Sequence, residues 1–241
     1  AYVEDGEIKS VIQEERIKRV KSGNDHPQNP YQAKKVIEQQ TGIAMQDADF
    51  IACATPVGYE WIKEENLPLK GIRSFNHHYC HAVGAYMTSG FKGKALTFTW
   101  DGGGDGLNGS IWLCEDGKME LVKSYYRELD GALSNLWFTV TNQLGWKGLK
   151  DEGKVMGMAG NGKYNEFLYS NISKLLTFDP DTLDFGPAGC GSLAHFVFKN
   201  FRDLGWSEGK QNRYDLAYNI QEFTNNIMVD VVKALIKKYP E

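Results

Sequence analysis

The chain has 241 residues, enough to bury a sizeable core as one large α/β domain or as two packed lobes. Lys and Arg total 27 against 31 Asp and Glu, a formal net charge of −4, which argues against a surface built mainly to grip nucleic-acid backbone. No apolar run approaches the roughly 20 residues of a membrane span, and no signal-peptide pattern opens the chain. Cys53, Cys80, Cys114 and Cys190 are widely spaced and form no CxxC pair, which argues against a disulfide framework or zinc knuckle and points to a reducing cytoplasm.

In chain order, Ala1-Tyr2-Val3, an Asp5-Gly6 turn and Glu7 to Gln13 predict a β-hairpin. The mixed-charge run from Glu14 to Lys21 reads first as a solvated face, with a local basic patch as the rival reading. Pro30 to Gln40 carries Ala33, Val36 and Ile37 at helical spacing with Gly42 beyond its end, so a helix is expected. Phe50 to Ala54 and Gly71 to Phe75 predict strands, followed by a histidine-rich segment and a strand from Ala95 to Trp100. This alternation argues for an α/β layer architecture. A boundary between residues 91 and 95 divides it into a first lobe, 1–93, and a second, 94–241.

In the second lobe, Ser110 to Cys114 and Met119 to Tyr125 predict a hairpin across Glu115-Asp116-Gly117-Lys118. Helical patterns cover Leu133 to Leu144, Gly153 to Ala159 and Tyr164 to Leu176, before a Pro- and Gly-rich stretch from Phe178 to Gly191. A last helix, Arg213 to Tyr239, places Leu216, Ile220, Phe223, Ile227, Val231 and Leu235 on one stripe.

Three clusters carry chemistry. His77 and His81, four apart on a helix, share one face and suit one metal ion, whereas His78 is turned about 100° away. The residue after His77 is His78 rather than Glu, so the zincin pattern is absent. Asp101-Gly102-Gly103-Gly104-Asp105-Gly106 follows a strand and reads as a loop whose amides approach phosphate, with Asp101 able to bind metal or position a nucleophile. It is neither a P-loop nor a Rossmann fingerprint. Asp151 to Ala159 opens a helix whose N-terminal amides and Lys154 would favour an anion, although a capped surface helix explains it equally.

These clusters, in this order, resemble the N-terminal domain of the NodU/CmcH-type O-carbamoyltransferases, which include nodulation-factor and antibiotic carbamoyltransferases. The matching stretches are the hairpin leading into Glu14 to Lys21, His77-His78-Tyr79-Cys80-His81-Ala82, Asp101 to Asp105, and Glu152 to Ala159. The resemblance implies the actin-like, sugar-kinase-like ATPase (ASKHA) fold of two related α/β lobes, similar to that of tRNA threonylcarbamoyl-transferring enzymes. It implies that carbamoyl phosphate and ATP yield carbamoyl-adenylate in a second, YrdC-like domain, and that the carbamoyl group then moves to a hydroxyl-bearing small-molecule acceptor in this one. Carried over, His77, His81 and Asp101 would hold a divalent metal, iron(II) ahead of zinc or magnesium. Gly102, Gly103, Gly104 and Asp105 would contact phosphate, and Glu152 and Lys154 would line the nucleotide or acceptor site. Asp101, Asp105 and Lys154 are the catalytic candidates, with Asp101 and Asp105 competing as general base.

The family pattern departs at both ends. Its opening strand with a His-Asp segment is expected before Ala1, and a GG-containing strand, another metal-binding aspartate and the YrdC-like domain after Glu241. The chain therefore reads as a fragment, truncated at both ends and unable to complete the transfer alone. A homodimer stays open, and no membrane or nucleic-acid partner is expected. The rival readings are a tRNA threonylcarbamoyl transferase, against which the net charge and the His77-His78 doublet weigh, and a nucleotide- or metal-binding module without catalysis.

Overall fold

A computed structural model describes residues 1–20, 30–54, 71–126, 133–186, 203–206 and 208–240. Lys21, Cys190 and the 187–191 part of the Pro- and Gly-rich stretch lie outside the described residues. The chain is mixed α/β and divides into two compact units, Ala1–Cys80 and His81–Glu241. The division falls inside a helix, His77–Thr88 (α3), whose Tyr86 hydroxyl donates to Gly93 O at 3.1 Å.

In the first unit, β1 (Tyr2–Glu4) and β2 (Glu7–Ser10) form the expected antiparallel hairpin. Asp5 and Gly6 take φ +50° and +81°, the left-handed pair that a tight hairpin turn needs. The charged run forms a short helix, α1 (Glu14–Lys18), and α2 spans Tyr31–Thr41. Glu14 spans the gap between them. Its carboxylate accepts from Ala33 N at 2.8 Å and Gln32 N at 3.3 Å, and Lys18 Nζ lies 3.1 Å away. It thus supplies the cap that α2's own N-cap, Pro30, lacks. β3 (Ile51–Cys53) pairs in parallel with β4 (Ile72–Ser74).

The second unit is built on an antiparallel meander of β5 (Ala95–Gly104), β6 (Leu107–Glu115) and β7 (Lys118–Tyr126). The sequence places a loop at Asp101 to Gly106, but the strand runs on through Gly104. Trp100 pairs with Gly109 and Gly104 with Leu107, so Asp101, Gly102 and Gly103 bulge opposite Asn108 alone. Gly103 takes φ +134°, which an L side chain rarely adopts, and Asp105 and Gly106 (φ +52° and +79°) make a two-residue turn. The glycine segment is therefore a bulged hairpin rather than a free loop. At its base, a Cβ on Gly109 would stand 2.6 Å from Thr99 O, so the strands approach there only because residue 109 is glycine.

Helices α4 (Leu133–Gln143), α5 (Glu152–Ala159), α6 (Glu166–Ile172) and α7 (Lys210–Lys238) complete this unit. All six apolar residues predicted on the α7 stripe are buried, packed with Leu136 and Val140 of α4, Val155 of α5 and Leu168 and Ile172 of α6. α7 begins at Lys210, earlier than expected, after Gly209 at φ +69°. α6 is shorter than expected, because Thr177–Asp179 (β8) comes next and pairs with Asp184–Gly186 (β9) in a hairpin that the Pro-rich composition hid. Cys53 and Cys114 are free thiols. Among the described residues no helix is long and apolar enough to cross a membrane.

Candidate metal site and adjoining cleft

Asn76 starts α3. Its side-chain Oδ1 accepts from Tyr79 N and its carbonyl from Cys80 N, both at 3.0 Å, so the helix opens directly before His77. The helix then sets His77 and His81 one turn apart, and a ligand atom of each, with one carboxylate oxygen of Asp101, lies within 4.8 Å of the others. The unit division passes through this continuous helix, so both histidines are carried by one element.

His81 Nε2 stands 3.6 Å from Asp101 Oδ2, too long for a good hydrogen bond but suited to two ligands of one ion. Bonds of about 2.1 Å place two such atoms at most about 4.2 Å apart, so gathering the widest pair onto an ion takes less than about 1 Å. The donor set of two imidazoles and a carboxylate therefore fits iron(II) or zinc. Asp101 Oδ1 accepts from Gly102 N at 2.5 Å, which sets the rotation of the carboxylate. The side chains of His81 and Asp101 are 52% and 38% exposed, so one side of the cluster is open for a further ligand. His78 is fully buried, its ring 5.6 Å from that of His77 in a T-shaped contact, and it is not part of the cluster.

Asp101 also lines a cleft of about 470 Å³ in the second unit. Its lining combines Asp101, Gly102, Ser134 and Glu152 with the apolar side chains of Leu133, Trp137, Leu149 and Met228. Glu152 is further held by accepting a hydrogen bond from Leu149 N. The structure thus brings Asp101, Gly102 and Glu152 together in one cleft. Asp105 stands at the exposed hairpin tip. Lys154 is turned another way, 2.8 Å from Asp151 Oδ1 and 4.5 Å over the ring of Trp146, and is not a wall of the cleft. On α5, Glu152 and Lys154 are two residues apart and so point to nearly opposite sides. Trp137, Leu149 and Met228 were not singled out by sequence, since nothing in their local pattern separates a cleft wall from a core or surface position.

The Carbamoyltransferase N-terminus family profile matches residues 32–239, which contain the whole cluster and the cleft. The chain belongs to this carbamoyltransferase family. Nodulation protein NolO of Bradyrhizobium diazoefficiens is 36% identical over 161 residues, covering 66% of this chain and 28% of that protein. Nodulation protein NolNO of Sinorhizobium fredii is 26% identical over 189 residues, covering 66% and 27%. An uncharacterized protein of Methanocaldococcus jannaschii is 35% identical over 118 residues, covering 44% and 19%. This carbamoyltransferase-family chain therefore spans less than a third of the length of each of these three relatives.

Proposed function

We propose that the chain is the domain in which a carbamoyl group passes from carbamoyl-adenylate, made from carbamoyl phosphate and ATP, to the hydroxyl of a small-molecule acceptor. His77, His81 and Asp101 hold a divalent metal, iron(II) in this reading. The observation that supports it most is the double position of Asp101, which belongs to the histidine cluster and to the cleft, in a chain of a carbamoyltransferase family. The reading includes the actin-like, sugar-kinase-like ATPase fold for the whole domain, and the mixed α/β units agree with it.

When bound, the ion supplies Lewis acidity and positive charge beside the phosphate. The two imidazoles and Asp101 would hold it, and the nucleotide phosphate would be its further ligand. Gly102, without a side chain, lets the phosphate approach the bulged strand. The acceptor oxygen attacks the carbamoyl carbon, the bond from that carbon to the phosphate oxygen breaks, and AMP departs with the electron pair. The hydroxyl proton passes to a base. Asp101 is engaged by the metal and Asp105 stands at the hairpin tip, so Glu152, in the cleft wall, is the carboxylate best placed to take it. Lys154, the other catalytic candidate, lies over Trp146 and beside Asp151.

Metal analysis tests the assignment. The iron(II)-loaded chain retains about one ion through desalting, while His77→Ala and His81→Ala each weaken binding by more than roughly 100-fold, since losing even an outer partner of a ligand costs about 10–100-fold. Full retention of metal by both variants refutes it.

A further inference from the structure

Asn108 is a buried side chain whose chemistry the fold does not use. It lies on β6, is 1% exposed, and neither its Oδ1 nor its Nδ2 has a hydrogen-bond partner. An amide in that state leaves an acceptor and two donors desolvated, a penalty that an apolar side chain would not carry. The polar side chains further along β5 and β6 are matched instead. Thr99 Oγ1 and Ser110 Oγ share a hydrogen bond at 2.8 Å, Trp112 Nε1 donates to Ser110 Oγ at 2.7 Å, and the Thr97 hydroxyl and Cys114 thiol pair at 3.1 Å. An unmatched amide among matched neighbours calls for a cause outside folding.

The strand register shows where that amide sits. β5 pairs Trp100 with Gly109 and Gly104 with Leu107, so Asn108 stands opposite the three-residue bulge of Asp101, Gly102 and Gly103. The pairing of β6 with β7 skips Asn108 too, passing from Leu107–Tyr126 to Gly109–Tyr125. Both ladders are therefore interrupted at this one residue. Across from it, Asp101 belongs to the histidine cluster, whose ligand atoms lie within 4.8 Å of one another and must close by less than about 1 Å to share an ion. His77 and His81 are carried by a helix, whereas Asp101 stands on backbone outside the regular ladder, so the closing movement falls to the bulge. We infer that Asn108 is a positioning residue for the metal site: as the ion draws Asp101 in, the amide takes up hydrogen bonds with the peptide groups of the bulge and holds the carboxylate in place. Nδ2 donates to a carbonyl there and Oδ1 accepts from an N–H. The inference rests on the metal assignment proposed above, and it gives the amide its use in the metal-bound state.

Calorimetric titration of the metal-free chain with zinc(II), a redox-inert ion that the same donor set fits, tests this in wild type, Asn108→Leu and Asn108→Ala. Zinc affinity is expected to fall about 10–100-fold in both variants, the range that loss of an outer partner of a ligand gives. Without metal, the Leu variant, whose side chain branches at the same atom as asparagine, is expected to melt no lower than wild type, because it removes an unpaired amide. That split separates positioning from a structural role, which would lower the metal-free midpoint and leave zinc affinity level. Wild-type zinc affinity in the variants overturns the inference alone. So does a metal-free midpoint that falls in both variants, which would mean that the amide already serves the fold. A wild-type chain that binds no zinc overturns the metal assignment and this inference with it.

Discussion

Asn219 offers a sharp test of the packing that carries α5 to α7. It is fully buried on α7, where Oδ1 accepts from Asn165 N at 3.1 Å and Nδ2 donates to Lys163 O at 3.0 Å and to Asp215 O at 2.8 Å. Asp215 Oδ1 reinforces the same junction by accepting from Lys163 N at 2.9 Å. Replacing Asn219 with Leu leaves the Asn165 N–H and the Lys163 carbonyl without their partner, while Asp215 O keeps its helical bond. Each orphaned backbone group costs about 1–3 kcal/mol, so the total loss is about 4 kcal/mol. For a unit of this size each kcal/mol moves the thermal midpoint by about 2–4 °C, so a fall of about 8–16 °C is expected. Urea unfolding followed by circular dichroism reads the free energy directly. A loss below about 1 kcal/mol, with an unchanged denaturant slope, would refute the reasoning, since water would then be satisfying both groups.

Glu14 and Gly162 give two further tests. Burial pushes the Glu14 carboxyl up, but the Ala33 amide, the Lys18 ammonium and the Gln32 amide outweigh it and hold the net value below the ordinary carboxylate range. Its folded value is lower than its unfolded one, so its stabilisation is present above about pH 4.3 and is lost as pH falls through the folded value. Glu14→Gln should lower stability at neutral pH by about 0.5–2 kcal/mol, as lost caps do, and flatten the acid limb of a stability–pH profile; an unchanged limb contradicts the capping role. Gly162→Ala should be strongly destabilising, because a Cβ there would stand 2.1 Å from Tyr214 O, a backbone atom with no room to yield. A wild-type melting temperature in that variant would show that the loop and α7 pack less closely than described.

The sequence was most legible where the signal was local and periodic. The α7 stripe could be read because every third or fourth residue is apolar, and the Asp5-Gly6 and Asp116-Gly117 turns because that dipeptide favours two positive φ values in succession. His77 and His81 were legible for the same reason, since helical spacing alone puts them on one face. The glycine segment misled because a run of glycines looks like a loop from either side, whereas a bulge depends on how many residues the partner strand supplies. Here that partner offers only Asn108. The β8–β9 hairpin was hidden by Pro180, though Asp179, which accepts from Asp181 N and Thr182 N, makes the turn that joins its strands. Glu14 as the cap of α2, and Leu149 as a cleft wall, act through contacts across the fold, and no window of sequence displays them.

On the function proposed above, the cleft that shares Asp101 with the histidine cluster receives a carbamoyl-adenylate whose phosphate meets the metal. Titrating a non-hydrolysable carbamoyl-adenylate analogue into the iron(II)-loaded chain, the metal-free chain and Asp101→Asn addresses it directly. Saturable binding by the loaded chain, weakened at least about ten-fold both without metal and in Asp101→Asn, is the result this account predicts. Equal affinity in all three, or no binding by the loaded chain, would contradict it.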